Sequence, residues 1–467
     1  MRISVSDILN KLPEADTFDF RSKNNSLFTA SERTCIVIDD DPTGNQTVYD
    51  IPLLTQWSAE TFTREFTNKT PVFFVLTNSR SLSEKRSTEI FEEVCRNILK
   101  AAKITKRNFT IISRSDSTLR GHFSEVKAIK KTCGFTDGIT VFAPVMFEGG
   151  RVTVNDTHYI LENKELIPVT DTPFSKDHTF AYNNANLKAY LKEKTHGKIT
   201  DEEIVSLSIE TIRKLTVDEL CQHIQNIAPE TYVTLNALNY NDLDKVAQAL
   251  LLAEKKGKKI IYRTSSSFIP SYIGQQPKPL LTLKVNTPNI SEKGGLTIVG
   301  SYVAKSSSQL QYVLENNTEI MSLVIDVVKL LNTDTRTYLK SIATIIDDAI
   351  DSGKDVVVYT SRAVITGENI DASIEIASKV SQALVSLVHE IKSSPKYLVA
   401  KGGITSHDLA TKGLHMKRSE VVGQILAGIP VWKMGAETRF PDLLYIVFPG
   451  NVGNQKTLSE LIQKLRL

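Results

Sequence analysis

The sequence predicts an α/β protein of two domains, each a largely parallel sheet flanked by helices, and three observations carry that expectation. Short β-branched apolar runs alternate with longer amphipathic segments along the whole chain. The runs are apolar at consecutive positions rather than every second one, which suits strands buried on both faces under helices. One stretch, "IPSYIGQQPKPLLTLKVNTPNISEKGG" (269–295), breaks the alternation with Pro, Gly and Gln and marks a domain boundary.

In chain order, the strand-forming runs of the first domain are "CIVID" (35–39), "VFFVLT" (72–77), "FTIIS" (109–113), "ITVFA" (139–143), "YVTL" (232–235) and "KIIY" (259–262). Those of the second are "LTIVG" (296–300), "SLVIDV" (322–327), "DVVVY" (355–359), "YLVA" (397–400) and "LLYIVF" (443–448). Helices are expected between them. Ile90, Val94 and Ile98 recur at helical spacing, as do Ile374, Ala377, Val380, Leu384 and Leu387. Thr216 and Glu219 have capping-box spacing before "LCQHIQNI". The expected domains are residues 1–275, carrying an irregular polar insertion at about 165–212, then a linker at 276–293, then residues 294–467.

With 467 residues, 41% of them hydrophobic, the chain is long enough for two or three packed cores. Lys and Arg number 56 against 53 Asp and Glu, so there is no basic excess of the kind a nucleic-acid partner needs. A small anion fits this balance. No run approaches the ~20 apolar residues of a membrane span, and the N-terminus has no apolar leader. Cys35, Cys95, Cys133 and Cys221 lack metal-ligand spacing. Cys35 and Cys95 fall in apolar periodic segments and read as buried free thiols. The expectation is a cytoplasmic protein, with no nucleic-acid or membrane partner and self-association into a homo-oligomer left open.

The chemistry concentrates where strands end, because loops fan apart there and leave a crevice in an open α/β sheet. "CIVIDDDPTGNQT" (35–47) puts Asp39, Asp40 and Asp41 in a row, and adjacent carboxylates repel unless a ligand or donors relieve them. A helix cap with a turn is the plain structural alternative. Asp39-x-Asp41-x-Thr43 matches a haloacid-dehalogenase-type phosphatase, with Asp39 as nucleophile, Asp41 as general acid/base and Thr77 in the next motif. The competing reading makes Asp40, Asp41, Thr43 and Gly44 binders of a polyhydroxylated substrate, one carboxylate accepting a hydroxyl proton. "SRSDSTLRGHF" (113–123) adds Arg114, Asp116, Ser117, Thr118, Arg120 and Gly121 in one loop. Arginine clamps a carboxylate bidentately and hydroxyl side chains suit a sugar, so this loop points to an acid with hydroxyls, although turn-and-cap chemistry uses the same residues.

In the second domain, "YLVAKGGITSHDLA" (397–410) runs from a strand through Gly402 and Gly403 into a helix entry at Thr405 and Ser406. Glycines let backbone N–H groups approach phosphate oxygens at such a turn. "IVGSYVAKSSSQL" (298–310) and "LLYIVFPGNVGNQKTLSELI" (443–462) repeat the layout. The latter is not a Walker A loop, because Gln455 stands where glycine is required before Lys456.

The ordered motifs "DDPTG" (40–44), "RSDSTLRG" (114–121), "APVMFEGGR" (143–151), "VGSYVAKSSSQ" (299–309), "KGGITS" (401–406), "GIPVW" (428–432) and "FPGNVG" (448–453) make the chain resemble the four-carbon acid sugar kinases along nearly its whole length. The resemblance implies an N-terminal domain that holds the acid sugar, a C-terminal domain that holds ATP with Mg2+, and an active site in the cleft between them. Asp40, Asp41, Thr43, Gly44, Asp116, Ser117, Thr118, Arg120 and Gly121 match the family's substrate-domain motifs; Asp41, or Asp40, is expected to orient and deprotonate the acceptor hydroxyl, Arg114 and Arg120 to hold the substrate carboxylate, and Arg80 to bind the substrate beside them. Ser301, Gly402, Gly403, Thr405, Ser406 and Gly450 match its nucleotide-domain motifs and are carried over as ATP contacts, with Ile404 expected among them although it departs from the pattern, and no protein metal site is expected. The chain departs from the pattern at Arg114 (usually Lys), Ile404 (usually Glu), Phe448 (usually Lys) and "RTSSSF" (263–268, usually a GSAG-like turn). Those departures keep a non-catalytic sensor of sugar acid and nucleotide beside the kinase, with the phosphatase as the third reading.

Overall fold

The computed structural model describes residues 3–282, 292–332, 334–361 and 370–466. The chain forms two compact units, Met1–Val48 with Gln56–Pro277 and Tyr49–Thr55 with Lys278–Leu467. Of the expected linker at 276–293, residues 283–291 lie outside the described residues.

The first unit is built on a parallel sheet in the order Ile204–Leu207, Tyr232–Leu235, Ile139–Ala143, Ile260–Thr264, Phe109–Arg114, Thr34–Asp39 and Val72–Leu76. Val72–Leu76 and Ile139–Ala143 are buried at every position, as continuous apolar runs require. Helix Glu84–Thr105 covers the sheet with Ile90, Val94 and Ile98, all buried, and Ser83 caps its first turn. Helix Val217–Asn226 opens with the expected capping box, Thr216 Oγ1 accepting from the Glu219 N–H at 3.3 Å and Glu219 accepting from the Thr216 N–H at 2.8 Å.

The segment expected to be an irregular insertion is more regular than its polarity suggests. Glu165–Pro168 pairs with Ile3–Ser4 and with Thr157–Glu162, which continues to Arg151–Val154, in a small antiparallel sheet. Ile204–Leu207 is the edge strand of the main sheet. Val169, Tyr182, Leu187, Tyr190, Leu191 and Ile199 form one apolar cluster with Phe123 and Phe142. Leu187, Tyr190 and Leu191 keep helical spacing on helix Leu187–Lys194, whereas Val169, Tyr182 and Ile199 are isolated in sequence and only folding gathers them.

In the second unit Met321–Ile325, Val356–Thr360, Leu296–Val299, Tyr397–Lys401 and Leu444–Phe448 lie parallel. Ile429–Met434, Arg418–Leu426 and Ile51–Leu54 extend the sheet antiparallel. These last three were not anticipated. Arg418–Leu426 alternates buried and half-buried positions, and its inward residues include Ser419 and Gly423, so it shows no apolar run. Helix Ile370–Glu390 lies where its stripe predicts, with Val380, Leu384 and Leu387 buried; the side chains of Ile374 and Ala377 lie outside the described residues. Cys35, Cys95 and Cys221 are buried free thiols. No helix among the described residues is long and apolar enough to cross a membrane.

Candidate active site

In the first unit, Asp39 is level with Arg114 on one neighbouring strand and Leu76 on the other, and Arg114 is level with Thr264. The strands finish in line, so the loops after them leave from one edge of the sheet and their polar side chains meet.

Asp39 and Asp40 are fully buried beneath that edge, with Arg114 between them. Arg114 Nη1 lies 3.1 Å from Asp39 Oδ1 and 3.6 Å from Asp40 Oδ1. Ser115 Oγ donates to Asp40 Oδ2 at 2.8 Å. Nearer the surface, Arg80 pairs with Asp41 and lies 3.7 Å from Asp116. Arg120 Nε donates to Asp116 at 2.6 Å, and its Nη1 reaches Asp177 at 3.3 Å. Asp41 also accepts from the Thr43 N–H at 2.8 Å and from the Thr43 hydroxyl.

This arrangement divides the three adjacent carboxylates. Burial, with repulsion from Asp40 and Asp41, pushes Asp39 up to about 7 against the pull of Arg114. Asp40 is pushed up to about 6, chiefly by burial and further by Glu125, while Arg80 and Arg114 oppose. Burial also acts on Asp41, but Arg80, Arg114 and the Thr43 donors outweigh it and hold the group below the ordinary carboxylate range. Asp116 is likewise held strongly acidic, Arg120 and Arg80 overcoming its burial.

Gly44 is required by close approach. A Cβ there would lie 2.2 and 2.3 Å from the two Asp39 carboxylate oxygens and 2.5 Å from Arg114 Nη1. The same crowding decides against Asp39 as a phosphatase nucleophile, which needs an open face for in-line attack. Thr77, the second residue of that reading, donates its hydroxyl to the Asp39 carbonyl at 2.9 Å and acts as a brace.

Several side chains expected to meet substrate also have partners within the protein. Arg114 serves Asp39 and Asp40, and Arg120 serves Asp116 and Asp177. Ser117 Oγ points to Met146 Sδ at 3.4 Å, and Thr118 Oγ1 donates to Asp116 at 2.5 Å. Gly121 follows the Arg120 carbonyl, which accepts from Ser115 Oγ at 3.3 Å. The segment after Glu165 covers this loop. Tyr182 and Tyr190 donate to the carbonyls of Thr118 and Leu119 at 2.8 and 2.7 Å, and Arg120 stacks over Phe174 at 5.0 Å.

Sequence reasoning assigned no role to Arg263, Glu125, Arg151 or Asp177. Arg263 ends its strand beside Ser113, to which Nη1 donates at 2.8 Å, and pairs with the buried Glu125. Ser79 and Ser87 each donate to Glu125 at 2.8 Å. For Arg263 the available signal was its place at a strand end, shared with Asp39 and Arg114; Glu125 and Asp177 carried none.

In the second unit the three glycine-bearing loops meet. Ser306 Oγ lies 3.1 Å from Ser301 Oγ and 3.4 Å from the Gly450 carbonyl, and Lys305 Nζ donates to the Asn451 carbonyl at 3.1 Å. Gly402 has φ 117°, and a Cβ on it would lie 3.0 Å from Ser301 Cβ, inside the space the loops enclose. Helix Gly403–Asp408 follows, with Thr405 buried and Ile404 62% exposed. Ser406 Oγ points at the carbonyls of Ala400 and Gly402, at 2.9 and 2.7 Å, and braces the turn. Phe448, where a lysine was expected, stands level with Lys401 on the next strand. Lys401 Nζ lies 3.7 Å from the centre of the Phe448 ring and donates to the Pro449 carbonyl at 2.7 Å, while burial pushes it down to about 7. Among the described residues no group of three or more His, Cys, Asp or Glu could hold a metal ion.

A family model described as a sugar-binding N-terminal domain matches residues 35–272, and one described as a nucleotide-binding C-terminal domain matches residues 296–458. Among solved structures, a Haemophilus influenzae protein from a domain-of-unknown-function family is 16% identical, with a TM-score of 0.60 over 92% of this chain and 100% of that one. A Salmonella typhimurium protein with a provisional "tRNA synthase" description is 13% identical, with a TM-score of 0.66 over 92% of this chain and 98% of that one. At these identities the likeness is one of fold. No curated protein matches the chain by sequence.

Proposed function

The chain belongs to the four-carbon acid sugar kinase family, and from that premise we propose that it transfers the γ-phosphoryl group of ATP to a hydroxyl of a four-carbon sugar acid of the threonate, erythronate or 3-oxo-tetronate type. The observation that carries the reading is the pairing of two chemistries in one chain. A carboxylate–arginine cluster suited to a hydroxylated acid lies in one unit, and a glycine-lined phosphate cradle lies in the other.

Phosphoryl transfer depends mostly on positioning and on cations around the spreading charge. Asp41, ionised and 14% exposed, is the member of the carboxylate row that an acceptor hydroxyl can reach. It accepts that hydroxyl's hydrogen bond and turns its oxygen toward the phosphoryl group. Asp41 also takes up that proton as charge develops, while Asp40, buried behind it, holds Arg80 and Arg114 in place. Arg80, which faces Asp41 and Asp116, fixes the carboxylate's direction. Ser301, Gly402, Gly403, Ile404, Thr405, Ser406 and Gly450 would hold the nucleotide. ATP with magnesium, when bound, supplies the phosphoryl group and neutralises part of its charge.

The test is an ADP-release screen against threonate, erythronate and 3-oxo-tetronate. The expected result is acid-dependent release that Asp41→Asn lowers by roughly 10²- to 10⁴-fold, the usual contribution of a positioned proton acceptor, with ATP binding retained. Thermal stabilisation by both ATP and an acid without ADP release would replace the kinase with a sensor. Phosphate release from a generic ester without ATP would restore the phosphatase.

A further inference from the structure

The charges of the first unit's site pair off and leave one arginine over. Arg114 is taken by Asp39 and Asp40, Arg80 by Asp41, Arg120 by Asp116 and Asp177, and Arg263 by Glu125. Arg151, the first residue of strand Arg151–Val154, has no carboxylate within ion-pair distance among the described residues. Its Nη1 donates to the Gly149 carbonyl, and its Nε is shut off from solvent with no hydrogen-bond partner. A guanidinium takes a carboxylate most firmly side-on, through Nε and one Nη. That is the edge Arg151 leaves unused.

Arg151 is also in the right place. Its guanidinium carbon lies 5.9 Å from the centre of the Phe174 ring, over which Arg120 also lies at 5.0 Å. Asp116, held by Arg120, and Glu162 attract it beyond ion-pair distance, and Arg120 repels it. Burial lowers the Arg151 pKa from the ordinary arginine value, so the protein alone does not fully compensate this charge. A bound carboxylate would.

We propose that Arg151 anchors the carboxylate of the acceptor and is the residue that makes the site select a sugar acid. The inference rests on the kinase reading and replaces Arg114 and Arg120 in the anchoring role, since both are already paired. On this view the acid lies with its carboxylate at Arg151 and a hydroxyl at Asp41.

The test compares wild type, Arg151→Met and Arg151→Lys in steady-state turnover with ATP and whichever of threonate or erythronate the wild type accepts. Loss of a charge-assisted carboxylate contact raises KM for the acid by roughly 10- to 100-fold, with a much smaller change in kcat and none in KM for ATP. The lysine variant recovers part of the affinity, because it keeps the charge without the planar fork. An unchanged KM for the acid in Arg151→Met overturns the inference and leaves the kinase standing. So does an equal loss of acid and ATP affinity together with a lowered melting temperature, which would make Arg151 a structural brace. If the wild type turns over no four-carbon acid, the kinase reading fails and this inference with it.

Discussion

Replacing Gly44 with alanine tests whether the buried floor of the site is held by the Asp39–Arg114 pair. The added methyl would stand 2.2 and 2.3 Å from the Asp39 oxygens and 2.5 Å from Arg114 Nη1, where ordinary contact is nearer 3.5 Å. Something must move by about an ångström, and the 3.1 Å Asp39–Arg114 contact is what lies in the way. Gly44 does not have the left-handed φ that favours glycine, so backbone strain adds nothing. Separating a buried pair costs about 3–5 kcal/mol. The cost depends on pH in a definite direction. Asp39 titrates near 7 in the native state against 3.8 as its reference value, so it already binds a proton more tightly when folded. Withdrawing Arg114 raises it further, and the variant then loses stability relative to wild type as pH rises through 7, where wild-type Asp39 ionises beside its arginine. Urea unfolding of both proteins at pH 6 and pH 8 reads this directly. We expect a loss of about 3 kcal/mol or more at pH 8 and a smaller one at pH 6. A loss under about 1 kcal/mol at both values, or one that does not change with pH, would refute the argument.

Asp39→Asn should lower turnover far less than Asp41→Asn, because Asp39 is enclosed and partly protonated at neutral pH whereas Asp41 is ionised and reachable; equal losses would move the reacting register back to Asp39. Gly402→Ala, which forces a side chain onto φ 117° beside Ser301, should weaken ATP binding by roughly tenfold, the effect of ~1.4 kcal/mol, and leave acid binding intact in calorimetry. Lys401, lowered to about 7 from 10.5, binds its proton less tightly folded than unfolded, so wild-type stability should rise with pH between about 7 and 10. Lys401→Met should lack that rise, and the same slope in both proteins by urea unfolding would show that Lys401 is not the titrating group.

Much of the fold was legible because parallel strands buried on both faces must be apolar at consecutive positions, as Val72–Leu76 and Tyr397–Lys401 are. Arg418–Leu426, with only its alternate positions buried, and Ile51–Leu54, short and interrupted by Pro52, carried no such signal. In the site, the acidic row, the "RSDSTLRG" loop and the glycine turns could be found because all stand at strand ends. Which cation answers which carboxylate could not be found. Arg120 and its partner Asp177 are 57 residues apart and Arg263 and Glu125 are 138 apart.

The sequence by itself determined the buried parallel strands, the helices between them and the edge on which the reactive loops lie, since local periodicity and turn chemistry encode those. Tertiary structure alone decided that Asp39 is enclosed while Asp41 is partly exposed, that Arg114 and Arg120 pair with internal carboxylates, and that Arg151 has no such partner among the described residues. The physical reason is that a charge's role depends on the dielectric around it and on its nearest opposite charge, and both are properties of distances that exist only once the chain has folded.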